Sequence, residues 1–557
     1  MKKFLAALLA MVMILACAAF ASADAGSEPD WTEYDALVAQ IKSTTDFVER
    51  EALLHKAEDI LMETGAVVPI YYYNDLYMMR ENVEGFYANL YGYKYFLHAT
   101  NGTDTLRINL ASEPDKLDPA LNSSVDGASL AANSFSGLFT YSEEGVPVPE
   151  MAESYTVSED GLTYVFTLRD GLKWSDGTDL TAADFEYSWK RAAATETAAD
   201  YSYMFNGIKG YPDDLAVKAE GNTFTVELAA PCAYFLDLCA FPTFYVVNQA
   251  AIEGADGYLD ADGNVLNPGA WATEAGFVTS GAYTLTEWKH NESMVYTKNP
   301  YYWDAENVKT ERLEFMLSAD DTVIYAAYQA GDLDFIDTVP TDEIANLKGV
   351  NPEFYIIDNL GTYYVGFNVK SKLFDGKTVE QASAMRRAFG LLIDRQYIID
   401  TVAQCDQKIA TSYIPAGMLD GHDGVFKQND DDYTYPVGDG YYGEEVDVEG
   451  AIELLKEAGY EFDANGMLSA STPISFEYLT NEGAAHVAIA ECIQQDLAAV
   501  GINMTIRTCD WNVLLNDRKN GNFDIAREGW LADFNDPINM IEMFETTSGN
   551  NDMQFGR

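Results

Sequence analysis

The run Asn522-Phe523-Asp524-Ile525-Ala526-Arg527-Glu528-Gly529-Trp530-Leu531-Ala532-Asp533-Phe534-Asn535-Asp536-Pro537 holds the residues best placed to do chemistry. It reads as an apolar strand that ends in a glycine, a tryptophan and an acid. Such a place can hold a carboxylate partly out of water, and an unpaired buried carboxylate costs several kcal/mol. Asp533 therefore needs a cationic partner, and a ligand ammonium would supply one. The plainer alternatives are that Asp533 caps a helix or pairs with a lysine. Arg527 is open to two readings in the same way: a clamp for a ligand carboxylate, or half of an internal ion pair.

Other chemical motifs fail on context. Gly438-Asp439-Gly440-Tyr441-Tyr442-Gly443 matches G-x-G-x-x-G by letters. It follows no strand, opens no helix, and has flanking acids that would repel a pyrophosphate. Asp260-Ala261-Asp262-Gly263-Asn264 hints at a calcium loop, but Tyr258 and Gly269 occupy the first and twelfth ligand positions, which excludes an EF-hand. The five histidines (His55, His98, His290, His422 and His486) are scattered. No H-E-x-x-H, G-x-S-x-G, P-loop or C-x-x-C pattern occurs. Neither an enzyme, a metal centre nor a cofactor is expected.

At 557 residues the chain can bury more than one core. Apolar residues make up 48% and aromatics 13%, a folded composition, and 36 tyrosines suit a concave site with flat, amphipathic walls. Acids outnumber bases 89 to 34, a net charge of −55, which disfavours nucleic acid and anionic membranes as partners. The excess reads as a solvated acidic shell. Residues 1–23 form a secretion signal: Lys2 and Lys3, an apolar stretch over 4–20, and Ala21-Ser22-Ala23 before Asp24. A competing reading takes Ile14-Leu15-Ala16-Cys17 as a lipobox, with Cys17 a lipid anchor. Five cysteines remain beyond the signal, so they cannot all pair with one another. Cys232 and Cys239 read as small buried hydrophobes on a helical segment.

The elements alternate. Asp46 and Glu49 suggest a capping box before a helix with Leu53, Leu54, Ala57, Ile60 and Leu61 on its apolar stripe, ended by Gly65. Val67-Val68-Pro69-Ile70-Tyr71-Tyr72-Tyr73 reads as a buried strand, as does Tyr363-Tyr364-Val365-Gly366-Phe367-Asn368-Val369. Leu106, Ile108 and Leu110 alternate as another. Helices are expected near 181–191 and over 378–403, 447–458 and 484–500, with 426–446 an exposed loop. Strands interleaved with helices imply an α/β fold.

Several motifs together resemble those of the oligopeptide- and dipeptide-binding proteins of bacterial ABC importers. They are Met151-Ala152-Glu153-Ser154, Asp160-Gly161-Leu162-Thr163-Tyr164-Val165-Phe166, Leu168-Arg169-Asp170-Gly171-Leu172-Lys173-Trp174-Ser175-Asp176-Gly177, Ala182-Ala183-Asp184-Phe185-Glu186-Tyr187-Ser188-Trp189-Lys190-Arg191, Asn299-Pro300-Tyr301-Tyr302-Trp303-Asp304 and Ile393-Asp394-Arg395. The resemblance covers nearly the whole chain beyond the signal. It implies a periplasmic-binding-protein-like fold: two main lobes, an extra subdomain, and a ligand cleft between the lobes. It implies a non-enzymatic receptor that closes over short peptides by a hinge motion and delivers them to a permease. By the resemblance Asp533 clamps the peptide ammonium, Trp530 lines a side-chain pocket, Leu531 contacts the ligand and Arg527 meets the carboxylate of shorter peptides. Tyr73, Ser123 and Val125 line the groove. Ser123 stands where relatives often carry an acid, which removes one basis for a preference for basic side chains. Same-fold receptors for nickel chelates, haem or sugars, and a secreted hydrolase, are the competing functions.

The order of segments departs from that family. Residues 30–100 resemble its usual C-terminal end, and its usual mature start follows near Thr105. A circular permutation is therefore expected, with the ordinary termini joined through 101–104. Residues 24–73 would complete the C-terminal lobe formed by 368–557. Residues 74–100 would hold hinge and return strands. The N-terminal lobe would comprise 105–140 and 276–367, and the extra subdomain 141–275. A monomer is expected. Exchange of the leading segment between two chains, giving a swapped dimer, and a rearranged gene remain alternatives.

Overall fold

A computed structural model describes residues 26–557 apart from positions 111 and 423. The expected signal over 1–23 and the lipobox alternative at Cys17 lie outside the described residues.

The chain opens with two helices, α1 (Thr32–Ser43) and α2 (Phe47–Glu63). The Asp46 side chain caps α2 by accepting from the backbone N–H groups of Val48 and Glu49, both at 3.1 Å. Gly65 ends it at φ +65°, where a Cβ would fall 2.7 Å from the backbone of Arg387.

The main sheet has eleven strands: β1 (Val67–Met79), β2 (Thr105–Asn109), β3 (Tyr283–Lys289), β4 (Ser293–Lys298), β5 (Arg312–Met316), β6 (Phe335–Ile336), β7 (Phe354–Phe367), β8 (Lys408–Ile409), β9 (Ser475–Asn481), β10 (Asn503–Cys509) and β11 (Ile525–Leu531). Their spatial order is β3-β4-β5-β2-β6-β1-β7-β11-β9-β10, and β8 also pairs with β1. β1 lies at the centre, antiparallel to both β6 and β7. It is longer than its apolar run suggests, because Asn74, Asp75 and Leu76 keep pairing with Asp358, Ile357 and Ile356. A separate four-stranded sheet, formed by Ala152–Val157, Thr163–Leu168, Thr223–Glu227 and Val217–Glu220, is covered by the helix Ala182–Ala193. The architecture is α/β, as the alternation of elements implies.

Two local expectations are corrected. The helix expected over 378–403 stops at Leu392, and Asp394 caps a new short helix, Arg395–Ile398. The segment 426–446 is not simply exposed. Tyr435 and Tyr442 are buried. Tyr433 and Tyr441 donate hydrogen bonds to Asp59 on α2 at 2.7 and 2.9 Å, so the acidic loop is held down by its aromatics. The five described cysteines are free, and Cys239 is fully buried. Among the described residues no helix is long and apolar enough to cross a membrane.

The leading helices pack on the far end of the same chain. The indole N–H of Trp31 donates to the Phe544 carbonyl at 2.8 Å, and the Tyr34 hydroxyl donates to that of Ile541 at 2.7 Å. The Trp31 ring stacks on Phe555 with centroids 3.9 Å apart. Arg50 and Asp536, both nearly inaccessible, form a two-pronged ion pair with N–O distances of 2.9 and 2.7 Å. Removing one partner of such a pair strands the other charge. Arg50→Ala should therefore lower unfolding stability by about 3–5 kcal/mol in denaturant titration.

Candidate functional site

A cavity of about 390 Å³ is walled by both halves of the main sheet. β1 contributes Tyr73, the loop before helix α3 (Val125–Ser134) contributes Ser123, and α3 opens with Val125. β11 contributes Arg527, Trp530 and Leu531, and Asp533 follows it. All the residues singled out in the sequence thus meet in one place.

Two glycines permit this convergence. A Cβ on Gly529 would lie 2.2 Å from the Tyr73 hydroxyl oxygen. A Cβ on Gly92, at φ +82°, would lie 2.7 Å from Leu531 Cδ1 and 3.1 Å from Val125 Cγ1. Any side chain at either position would push the two walls apart. Side chains alternate along β11, so Arg527, Gly529 and Leu531 share one face, and Glu528 and Trp530 the other.

Asp533 is 5% exposed. Its backbone N–H donates to Asn539 Oδ1 and its Oδ2 accepts from Asn539 Nδ2, both at 3.0 Å. The Tyr201 hydroxyl reaches Oδ1 at 3.5 Å. No described lysine or arginine forms an ion pair with it, and it caps no helix, so neither plainer reading of this acid holds. Burial pushes its carboxyl up to about 7, against the lowering effect of the Asn539 hydrogen bond. Trp530 turns its indole N–H to Asn539 Oδ1 at 3.0 Å and packs beside Tyr201. One amide thus orients both the acid and the tryptophan.

Arg527 likewise has no carboxylate partner among the described residues. Its guanidinium lies 5.3 Å from the Trp511 ring and 5.5 Å from that of Tyr363. The cavity therefore presents an unpaired acid beyond one end of β11 and an unpaired base near the other. A zwitterion of suitable length would satisfy both.

Beneath β11, Arg518 is shared by two buried acids, Glu528 at 2.7 Å and Asp552 at 3.2 Å. Lys519 bonds Ser123 Oγ at 2.8 Å and pairs with Asp200. Nearby, the Tyr141 hydroxyl donates to the Asp533 carbonyl at 2.9 Å, and the Tyr234 ring stacks on Phe534 with centroids 4.5 Å apart. Sequence reasoning missed Tyr201, Asn539, Arg518, Lys519 and Asp552. They come from separate segments and carry no spacing signal.

The family described as bacterial extracellular solute-binding proteins, family 5 Middle, matches residues 146–552. The oligopeptide-binding protein OppA of Bacillus subtilis is 33% identical over 475 residues, covering 81% of this chain and 80% of its own. The dipeptide-binding protein DppE of the same organism is 30% identical over 467 residues, covering 81% and 79%. Among solved structures, Listeria monocytogenes OppA bound to peptide superposes with a TM-score of 0.69 at 26% identity, covering 82% of this chain and 86% of that one. Haemophilus influenzae OppA in complex with RPPGFSPFR gives 0.68 at 27%, covering 82% and 85%.

The raised carboxyl of Asp533 has a consequence for stability. An acid whose folded value lies above its unfolded value favours folding when protonated, and this advantage disappears as pH rises from about 4 through about 7. Asp533→Asn should therefore stabilise the ligand-free protein at pH 8 by up to about 4 kcal/mol, three pH units at roughly 1.4 kcal/mol each. The gain should fade toward pH 4, as read by thermal unfolding across that range.

Proposed function

The chain belongs to family 5 of the bacterial extracellular solute-binding proteins, and on that basis we propose that it is a peptide receptor that captures short peptides outside the cytoplasm and hands them to an ABC permease. It is a binding protein, not an enzyme. The observation that carries the reading is Asp533: a buried carboxylate lining the cavity, with neutral hydrogen-bond donors and no ion-pair partner among the described residues. A peptide α-ammonium supplies the missing charge, and Arg527 receives the terminal carboxylate of a short peptide. Trp530, Leu531, Tyr73, Ser123 and Val125 bound the groove in which the peptide lies. Main-chain contacts along such a groove give affinity that tolerates varied side chains. Lys519 bonds across the cavity, consistent with a form closed by a hinge motion between two lobes. The relatives that carry peptides in their names or structures point the same way. A Sec-type signal at 1–23 would bring the chain to this location.

Thermal shift measurements with short peptides should show stabilisation by a free N-terminus, about 2.7 kcal/mol at 100 times Kd, and little by the acetylated form. Asp533→Asn should remove that difference. Stabilisation by neither form, after bound ligand is stripped by unfolding and refolding, would favour a non-peptide solute.

The order of segments is read as a circular permutation within one chain. Support comes from the contact of Trp31 with Phe555, which brings the two ends of the described chain together. It also comes from the turn at 101–104, where Asn101 ties Thr103 N–H and the Thr105 carbonyl at 2.9 and 3.0 Å. The relatives leave about a fifth of each chain unmatched, enough to include the relocated segment. Light scattering should give the mass of a monomer that still binds peptide. A dimer separable only by unfolding would mean that the leading segment is exchanged between chains.

A further inference from the structure

Away from the cavity, helix α2 meets the loop around residue 420 at a cluster of donor atoms. His422 Nε2 lies 2.7 Å from Glu51 Oε2 and 3.8 Å from Asp420 Oδ2. One donor atom from each of these residues lies within 4.8 Å of the other two. Asp420 is 2% exposed. Its Oδ1 accepts the backbone N–H groups of His422 and Gly424 at 2.7 and 3.0 Å, and no described residue donates to its Oδ2. Space beside that oxygen is kept by Gly424, where a Cβ would fall 2.1 Å from it.

A separate observation bears on the same spot. His55, one turn after Glu51 on α2, is 3% exposed and sandwiched between the rings of Phe426 and Tyr433, with centroids 4.1 and 3.7 Å away. Its Nδ1 is buried without a partner, and its Nε2 faces Glu51 Oε1 at 4.0 Å, too far for a hydrogen bond. A buried polar ring has been kept beside these acids without any hydrogen bond to repay its desolvation.

We propose that Glu51, Asp420 and His422 bind one divalent first-row cation of the zinc class, which fastens α2 to the loop around residue 420. Tetrahedral zinc with bonds of about 2.0–2.1 Å separates its donors by about 3.3 Å, between the 2.7 and 3.8 Å found here. One imidazole with two carboxylates suits zinc and its neighbours, whereas calcium takes six to eight oxygens. Water fills the fourth position, as the partial exposure of His422 permits. His55 is a positioning residue: its ring, held between Phe426 and Tyr433 one turn after Glu51, packs beside that carboxylate and limits its movement. The site joins residues 371 apart in sequence and shares no residue with the cavity wall, so it fixes the leading segment without touching the ligand.

The test uses the whole chain, stripped with chelator and desalted. Calorimetric titration with zinc chloride should show one equivalent bound and a raised unfolding temperature, while calcium chloride should give neither. His422→Ala and Glu51→Gln should each weaken zinc binding at least about tenfold and leave peptide affinity within about twofold. With cobalt(II) as probe, the parent should show the visible absorption of a four-coordinate site. His422→Ala should lose those bands, and His55→Gln should shift them with the stoichiometry kept. Absence of zinc binding, zinc binding unchanged in His422→Ala, or an equal response to calcium would overturn the proposal.

Discussion

The ladder between β1 and β7 is the constraint on which the rest of the structure depends. Val67 pairs with Gly366 at one end, and Met78 with Phe354 at the other. Beyond Met78 the same strand pairs with β6, so β1 runs from one half of the sheet into the other. Its register slips between Pro69 and Tyr71 and again between Tyr72 and Asn74. Proline brings no N–H to a ladder, and a slip at that point spares the sheet a missing bond. Arg395 Nε donates to the Pro69 carbonyl at 2.7 Å, drawing a buried arginine into the same irregularity. Such slips re-aim side chains, and Tyr73, the unpaired residue of the second slip, points at Gly529 across the cavity.

Around that ladder the molecule places charge where water cannot reach it. Glu528 and Asp552 divide one guanidinium, while Asp533 and Arg527 have no ion-pair partner among the described residues. Within a core such arrangements would be liabilities. On the wall of a cavity they would specify what enters, because a ligand bringing the opposite charge would release the free energy withheld from the empty protein. Non-directional hydrophobic burial could not impose polarity on a bound chain, whereas an acid beyond one end of β11 and a base near the other can. The surrounding rings of Tyr201, Trp530, Trp511 and Tyr363 add contact area without demanding one side chain.

The leading helices belong to the same logic of completion. The Arg50–Asp536 pair sits just beyond the site acid, three residues along, so the first described helices help fix the segment that holds Asp533. Glu58 and Asp59, on the other side of α2, anchor the tyrosines of the acidic loop. Segments far apart in sequence therefore stiffen one wall of the cavity.

The sequence by itself determined much of this. Short-range rules are enough to see the helix after Asp46, its stop at Gly65, the apolar runs that became β1 and β7, and the alternation that makes the fold α/β. The strand ending in Gly529-Trp530 and Asp533 also marked a carboxylate that would be buried, and the structure brings every residue named with it to one cavity. The rest was decided only by the tertiary structure. Whether Asp533 met a lysine, a helix end or neither depended on how Asn539, six residues on, folds back to it and on Tyr201, 332 residues away in sequence. The burial of Tyr435 depended on α2, hundreds of residues away, as did the meeting of Glu51 with Asp420 and His422. Periodicity and capping act over a few residues and are written in local order. Satisfaction of a buried charge is a property of the whole packed interior, and it becomes visible only when distant segments share the same few ångströms.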